Sequence, residues 1–443
     1  MPTSSPTRFA PLLVVAGLTA CGSARNEVTP TPDGPAASGP DAATSANGCT
    51  VGLAGAPCVL ALYDRALAGC DAADVAALRV ELDARAGLGP LWFGGRALVR
   101  TSTPTSVAGG WNGWSETAMP AVAMCGSDLV VAVGAVPTGY WPYKLVAGGA
   151  WSLDPANPAF AYDDFAGNAD GRNSVLDTPD SGRGRVVTLD RPCSTALGNC
   201  RTVTAYLPPG YDAPAAATTT YPVLFMHDGQ NVWSDHSCCF GHTGWEVDGA
   251  LDTEIAAGHV RPIIVIAADN STARNDEYGL TIATMLAFID FQVTTLQPAA
   301  LAKVRWDHAK VGVAGSSLGG LVSMELALRH PEIYGGVASL SGAFWPNMAT
   351  NQAVRDDVTL FGKQAVATYL DSGGDPTDNS DGAADTIEVR DRMVGLGWRS
   401  SDSPTCSPGP NAICYHLEPG ATHDELAWKA RVWRALRFLY PAP

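Results

Sequence analysis

Ser317 stands in the run Gly315-Ser316-Ser317-Leu318-Gly319-Gly320, which follows the apolar stretch KVGVAG and opens the helix-periodic stretch LVSMELALR. A serine flanked by glycines where a strand turns into a helix is presented on a sharp, strained turn with its hydroxyl clear of the sheet edge. The helix N-terminus beside it favours developing negative charge. Ser316 fits only a looser pattern, whereas Ser317 has the glycine spacing. A hydroxyl near neutral pH needs a base to act as a nucleophile. Of the eight histidines, His423 lies in Pro419-Gly420-Ala421-Thr422-His423-Asp424-Glu425, between the last predicted strand and the last predicted helix. That placement suits the chain order serine, acid, histidine. His330 reads as a helix C-terminal residue and His227 as a weaker base. The acid belongs between serine and histidine, just past a strand end, where it orients the imidazole. Asp375, after Gly373 and Gly374, is the first choice; Asp371 reads as structural, and Asp378, Asp381 and Asp385 stay open. The oxyanion of an acyl-transfer intermediate needs two backbone N–H donors. Leu318 supplies one, and Asp228 or Gly229 the other, with Gly229 allowing close approach of backbone to substrate.

These groups need a scaffold that brings distant chain segments to one edge. From Arg185 onward apolar runs (VVTLD, RTVTAYLPP, YPVLFMHDG, PIIVIAA, KVGVAG, GVASLS, ATYLDSG, AICYHLEPG) alternate with helical patterns near 245–257, 281–302, 318–330, 385–396 and 424–439. Such alternation predicts a mostly parallel sheet buried by helices on both faces. The fold class is therefore α/β, and this order of serine, acid and histidine resembles that of the α/β-hydrolases, which sets the expectation for residues 185–443. Ahead of it, 71–86 reads as a short helix capped by Asp71, and short β-like segments follow between Gly, Pro and Asn. They predict a small β-sandwich over about 95–178, within an N-terminal region 48–178. Residues 163–184, rich in Asp, Gly, Asn and Ser, read as a linker. Trp111, Trp114, Trp141 and Trp151 suit either the core of such a sandwich or a platform for sugar rings, and the core reading has more weight.

The first 47 residues stand apart from any fold. Arg8 precedes the apolar run Phe9–Ala20, too short to span a bilayer, and Leu18-Thr19-Ala20-Cys21 resembles a bacterial lipobox. This implies a signal peptide over 1–21, diacylation of Cys21 and a flexible tether over 22–47 in the cell envelope, held to the membrane by lipid. Of the eleven cysteines, ten remain once Cys21 is lipidated, an even number that suits disulfides outside the cytosol. Cys193/Cys200 and Cys406/Cys414 read as local staples; the pairing of Cys49, Cys58, Cys70 and Cys125 is open. A formal charge of −16 argues against nucleic acid as a partner.

Several spaced motifs extend the match beyond the elbow: Tyr206-Leu207-Pro208-Pro209-Gly210-Tyr211, Tyr221-Pro222-Val223-Leu224, His227-Asp228-Gly229-Gln230-Asn231, Trp245-Glu246-Val247-Asp248 and Arg274-Asn275-Asp276-Glu277-Tyr278. Together they resemble the esterase family that includes enterochelin esterases, esterase D, feruloyl esterases and mycolyltransferases. The segment around 95–178 resembles the immunoglobulin-like early-set domains that precede some of these enzymes. The resemblance implies hydrolysis or transfer of carboxylic esters by Ser317, His423 and an aspartate, with no cofactor and no metal. It leaves open a siderophore ester, an acyl group on polysaccharide or a small ester as substrate. An acyltransferase and a non-catalytic glycan-binding lipoprotein are the alternatives. The segment Ser234–His242, with Asp235, His236, Cys238, Cys239 and His242, lies outside the family pattern; it reads as a disulfide-stabilised loop before a zinc site, because its spacing fits no common zinc motif.

Overall fold

The computed structural model describes residues 44–163, 171–233, 237–239, 242–344, 357–404 and 406–443. The signal peptide, Cys21, most of the tether, and the side chains of the Asp235–His242 segment lie outside the described residues.

The apolar runs become strands buried on both faces, as a sheet covered by helices requires. In Val223–Met226, Val223 and Phe225 face one core with Val313, Val337 and Leu321, while Leu224 and Met226 face the other with Ala314, Ala338, Trp428 and Leu436. Strands Arg399–Asp402, Ala412–Leu417, Ala367–Ser372, Tyr334–Leu340, Val311–Ser316, Val223–Met226 and Ile264–Ala268 lie side by side in that order, each parallel to the next. Val203–Leu207 and Arg185–Asp190 then continue the sheet antiparallel. The fold is the expected α/β-hydrolase type. Helices occupy Val247–Ala256, Ile282–Phe291, Leu318–Arg329, Ala383–Gly395 and Glu425–Leu439. The predicted helix over 281–302 changes to π-type spacing over Gln292–Leu296 before resuming at Gln297.

The N-terminal region adds layers. A helical hairpin, Ala56–Gly69 and Ala72–Asp83, packs Val59, Leu62, Leu78 and Leu82 on Leu98 and Val131 of a four-stranded sheet. Asp71 caps the second helix through the Ala73 amide at 2.6 Å; the first helix, with Pro57 in its opening turn, has no counterpart in the sequence reading. The other face of that sheet, through Ala97, Val99 and Ala132, meets Val107, Tyr143, Leu145 and Leu176 of a second sheet. The two sheets pack face to face, with one difference from the small sandwich expected over about 95–178. Its second sheet does not stop at a linker. Ala159 and Phe160 pair with Val187 and Val186, so the sandwich sheet and the hydrolase sheet are one continuous hydrogen-bonded array, fourteen strands among the described residues. The tryptophans divide as well. Trp111 and Trp141 are half-buried against the sandwich core, whereas Trp114 and Trp151 are 38% and 39% exposed, their rings 6.2 Å apart. Disulfides join Cys49–Cys58, Cys70–Cys125, Cys193–Cys200 and Cys406–Cys414, which includes both expected staples.

Candidate active site

Ser317 connects Val311–Ser316 to the helix Leu318–Arg329 with φ 54° and ψ −124°, a conformation that costs a non-glycine residue on the order of 1–3 kcal/mol. Its surroundings enforce that turn. The Ser317 amide donates to Leu340 O at 3.0 Å, and the Ser317 carbonyl accepts from Leu321 and Ala343 at 3.0 Å. The flanking glycines are glycines for lack of space. A Cβ on Gly315 would lie 2.6 Å from the Gly319 carbonyl carbon, and one on Gly320 would lie 2.5 Å from Ser339 Oγ. The Leu318 amide, at the first helical position, has no intrahelical acceptor by virtue of its place in the helix.

On the neighbouring strand end, Asp228 takes a left-handed conformation (φ 58°) after Met226 and His227. Its buried carboxylate accepts from Arg274 Nε at 2.6 Å, Arg274 Nη2 at 2.7 Å and Asn270 Nδ2 at 2.5 Å. A Cβ on Gly319 would be 3.1 Å from Asp228 Oδ2, so this loop lies directly against the elbow helix. Asp228 and Gly229 both lie on this loop beside the elbow helix. Gly229 itself is required by the next strand: a Cβ there would lie 2.7 Å from the Ala268 carbonyl carbon. His227 is no base. It is buried between Ser323 Oγ at 2.9 Å and Gln292 Oε1 at 3.3 Å, and loss of solvation lowers it to about 4. His330 pairs with Glu332 at the end of the elbow helix, as expected of a helix-terminal residue.

His423 Nδ1 lies 2.5 Å from Asp381 Oδ1, and its ring meets Trp428 edge-on at 5.2 Å. The acid paired with His423 is thus Asp381 and not Asp375. The chain does not carry Asp375 toward the histidine. Gly374 turns left-handed (φ 71°), Asp375 is exposed, and its carboxylate is taken by the Thr377 amide at 2.7 Å in a local turn. Asp378 closes a similar turn on the Ser380 amide at 2.8 Å. Asn379 and Asp381, both at positive φ, then bring the chain back so that Asp381 points inward. Asp385 is held by Asn379 Nδ2 at 2.8 Å. Asp371 is buried beneath, bonded to Tyr369 OH at 3.0 Å and the Ser341 amide at 3.1 Å, in keeping with a structural role. The acid and histidine loops are tied by backbone: Gly374 N donates to Ala421 O at 2.9 Å, and Gly420 N to Gly374 O at 3.2 Å. The signal for Asp381 in the sequence is the Asn379-Ser380-Asp381-Gly382 cluster of turn formers directly before a helix.

The described residues include a strained serine at a helix N-terminus, an imidazole paired with a buried carboxylate, and backbone amides beside the serine. Groups of these types, brought together, can carry out acyl transfer through a tetrahedral oxyanion. Among the described residues no cluster of His, Cys, Asp and Glu could hold a metal ion.

Comparison with known proteins agrees with this chemistry. The family model described as Putative esterase matches residues 194–439. An endo-1,4-β-xylanase/feruloyl esterase of Xylanibacter ruminicola is 32% identical over 161 residues, 34% of this chain and 20% of that protein. An iron(III) enterobactin esterase of Dickeya dadantii is 32% identical over 179 residues, 40% of this chain and 37% of that protein. The chain thus spans well under half the length of these two relatives. The solved enterobactin esterase of Shigella flexneri superposes with a TM-score of 0.43 at 15% identity, over 79% of this chain and 95% of its own.

Proposed function

The chain belongs to the Putative esterase family, a serine esterase of the α/β-hydrolase fold, and on that premise we propose that Ser317, His423 and Asp381 carry out two-step ester hydrolysis. His423 takes the proton of Ser317 as the hydroxyl attacks the ester carbonyl. The amides of Leu318 and of Asp228 or Gly229 hold the oxyanion, and the proton passes to the leaving alcohol. Water then cleaves the acyl-enzyme by the same route. The observation that carries this reading is the 2.5 Å contact between His423 and the buried Asp381, on the loop adjoining the strand next but one to the elbow strand.

The substrate we propose is an acyl ester attached to polysaccharide. The feruloyl esterase relative supports this class, and so does the exposed Trp114/Trp151 pair. Trp114 is held at φ 61° on a turn fixed by Asn112, and Trp151 sits on an exposed hairpin strand. Two solvent-facing indoles, their planes inclined 45° to one another, offer apolar ring faces on which sugar rings stack. Export and lipid anchoring at Cys21 belong to the same proposal, supported by the Leu18–Cys21 pattern and the disulfides among the described residues.

The test is turnover of p-nitrophenyl acetate and of a feruloylated oligosaccharide by the parent, Ser317→Ala and His423→Ala. Turnover in the parent that disappears in both variants supports the mechanism. Preference for the oligosaccharide that falls in Trp114→Ala/Trp151→Ala supports the substrate class, while preference for a siderophore ester or small ester overturns it. Glycan retention without turnover of any ester would leave a binding protein instead.

A further inference from the structure

Behind the His423–Asp381 pair lies a charge the hydrolytic mechanism does not use. Arg431, on the last helix, is 1% exposed. Its Nε is 3.1 Å from Asp371 Oδ2, and its Nη2 is 3.4 Å from Asp381 Oδ2. The same Nη2 donates to Ser341 Oγ, which donates to Asp381 Oδ2 at 2.6 Å and accepts from Trp428 Nε1 at 3.0 Å. Asp381 Oδ2 also accepts from the Gly373 amide. One guanidinium therefore bridges two buried carboxylates, and only one of these touches the histidine.

Two features separate this cation from an ordinary structural arginine. Its hydrogen bonding is incomplete among the described residues: Nη1 has no partner there, and Nε, though within ion-pair distance of Asp371, is not aligned to bond it. A buried charge with unmet donors is costly as a packing element, and a well-fitted apolar side chain often replaces such a group without loss of stability. The charges also sum in a particular way. Asp371, Asp381 and Arg431 together carry one net negative charge, which is balanced when His423 becomes the imidazolium of acyl transfer. Burial raises the Asp371 carboxyl above its ordinary value, against the smaller opposing pull of Arg431, the Tyr369 hydroxyl and the Ser341 amide.

We propose that Arg431 and Asp371 act as positioning residues of the triad: Arg431 holds Asp381 Oδ2 so that Oδ1 faces His423, and the Arg431–Asp371 pair sets how readily His423 takes up its proton. The inference rests on the triad assigned above. Other ionisable groups face this cluster, among them Tyr415, which lies against Asp371 from the adjacent strand. Tyr369 is bonded to Asp371, and His416 faces Asp371 from the adjacent strand while paired with Glu418. Asp424 caps the last helix through the Ala427 amide, Glu425 accepts from Asn231, and Arg434 faces Tyr369.

The sign follows from charge. Removing the Arg431 cation leaves imidazolium better stabilised, so protonation of His423 moves to higher pH. Removing the Asp371 anion does the reverse. The experiment measures kcat/KM against pH on the parent, Arg431→Met, Arg431→Lys, Asp371→Asn and the double variant Arg431→Met/Asp371→Asn, with the His423 imidazole titrated by NMR in each. Arg431→Met should raise the acid-limb midpoint by ~0.5–1 pH unit, and Asp371→Asn should lower it by a similar amount. Arg431→Lys should stay near the parent, and the double variant should return toward it. Equal midpoints in folded Arg431→Met and Asp371→Asn, or a double variant displaced as far as Arg431→Met, would overturn the proposal. If Arg431→Met does not fold, Asp371→Asn alone decides it by the presence or absence of its downward shift. The NMR titration reads His423 without any substrate, so a protein that turns over no ester fails the functional reading while still testing this one.

Discussion

The two halves of the site are built on different principles. The elbow is held by shape: Ser317 is forced into its strained conformation by backbone hydrogen bonds and by contacts that leave no space for a Cβ at Gly315 or Gly320. The acid–histidine corner is held by charge and hydrogen bonding: Asp381, Asp371, Arg431, Ser341 and Trp428 form one buried network. Steric fixation is indifferent to protonation but intolerant of volume, whereas an electrostatic network has the opposite sensitivities.

The largest effect tests whether both halves serve one reaction. Ser317→Ala should lower kcat by ~10⁴–10⁶-fold against any ester turned over, measured with excess substrate. Next, Asp381→Asn should cost ~10³–10⁴ in kcat with the fold intact, while Asp375→Asn stays within about twofold of the parent. The opposite ranking would return the acid to Asp375 and dissolve the charge-held corner. Gly320→Ala should destabilise the protein by ~1–3 kcal/mol in denaturant melts, with little change in the pH profile of whatever activity survives. A shifted pH profile in that variant would show that shape and charge are not separable. A stability effect of similar size probes a buried titrating group behind the elbow. His227 is held near 4 when folded, below its ordinary 6.5. The unfolded chain therefore binds the extra proton first, and the stability His227 contributes is complete above about 6.5 and is lost as pH falls toward 4, by up to about 3 kcal/mol. Melts of the parent and of His227→Gln should converge over that interval, and parallel curves would remove His227 from the account.

The same contrast explains what the sequence made visible. The elbow is local, with strand, glycines, serine and helix inside one short run, so Ser317 and Leu318 could be read directly. The parallel core strands were legible because burial on both faces leaves unbroken apolar runs. Which aspartate meets His423 was not legible, because its position depends on a chain reversal through Gly374, Asn379 and Asp381, and several aspartates of similar local appearance compete along it. Asp375 is nearest the strand but is captured by the Thr377 amide. The boundary near 178–185 was hidden for a related reason. Ala159 and Phe160 meet Val186 and Val187 by edge pairing between segments that no periodicity connects.

That edge pairing also bears on modularity. A cut at the apparent boundary would leave Arg185–Asp190 as a raw outer strand, with the amides and carbonyls that met Ala159 and Phe160 open to any extended chain in solution. Exposed edges of this kind recruit other strands, their own copies included. The N-terminal strands are therefore a selvedge as much as an accessory domain: they finish the catalytic sheet, and a catalytic half made without them is expected to be prone to self-association even if its triad forms.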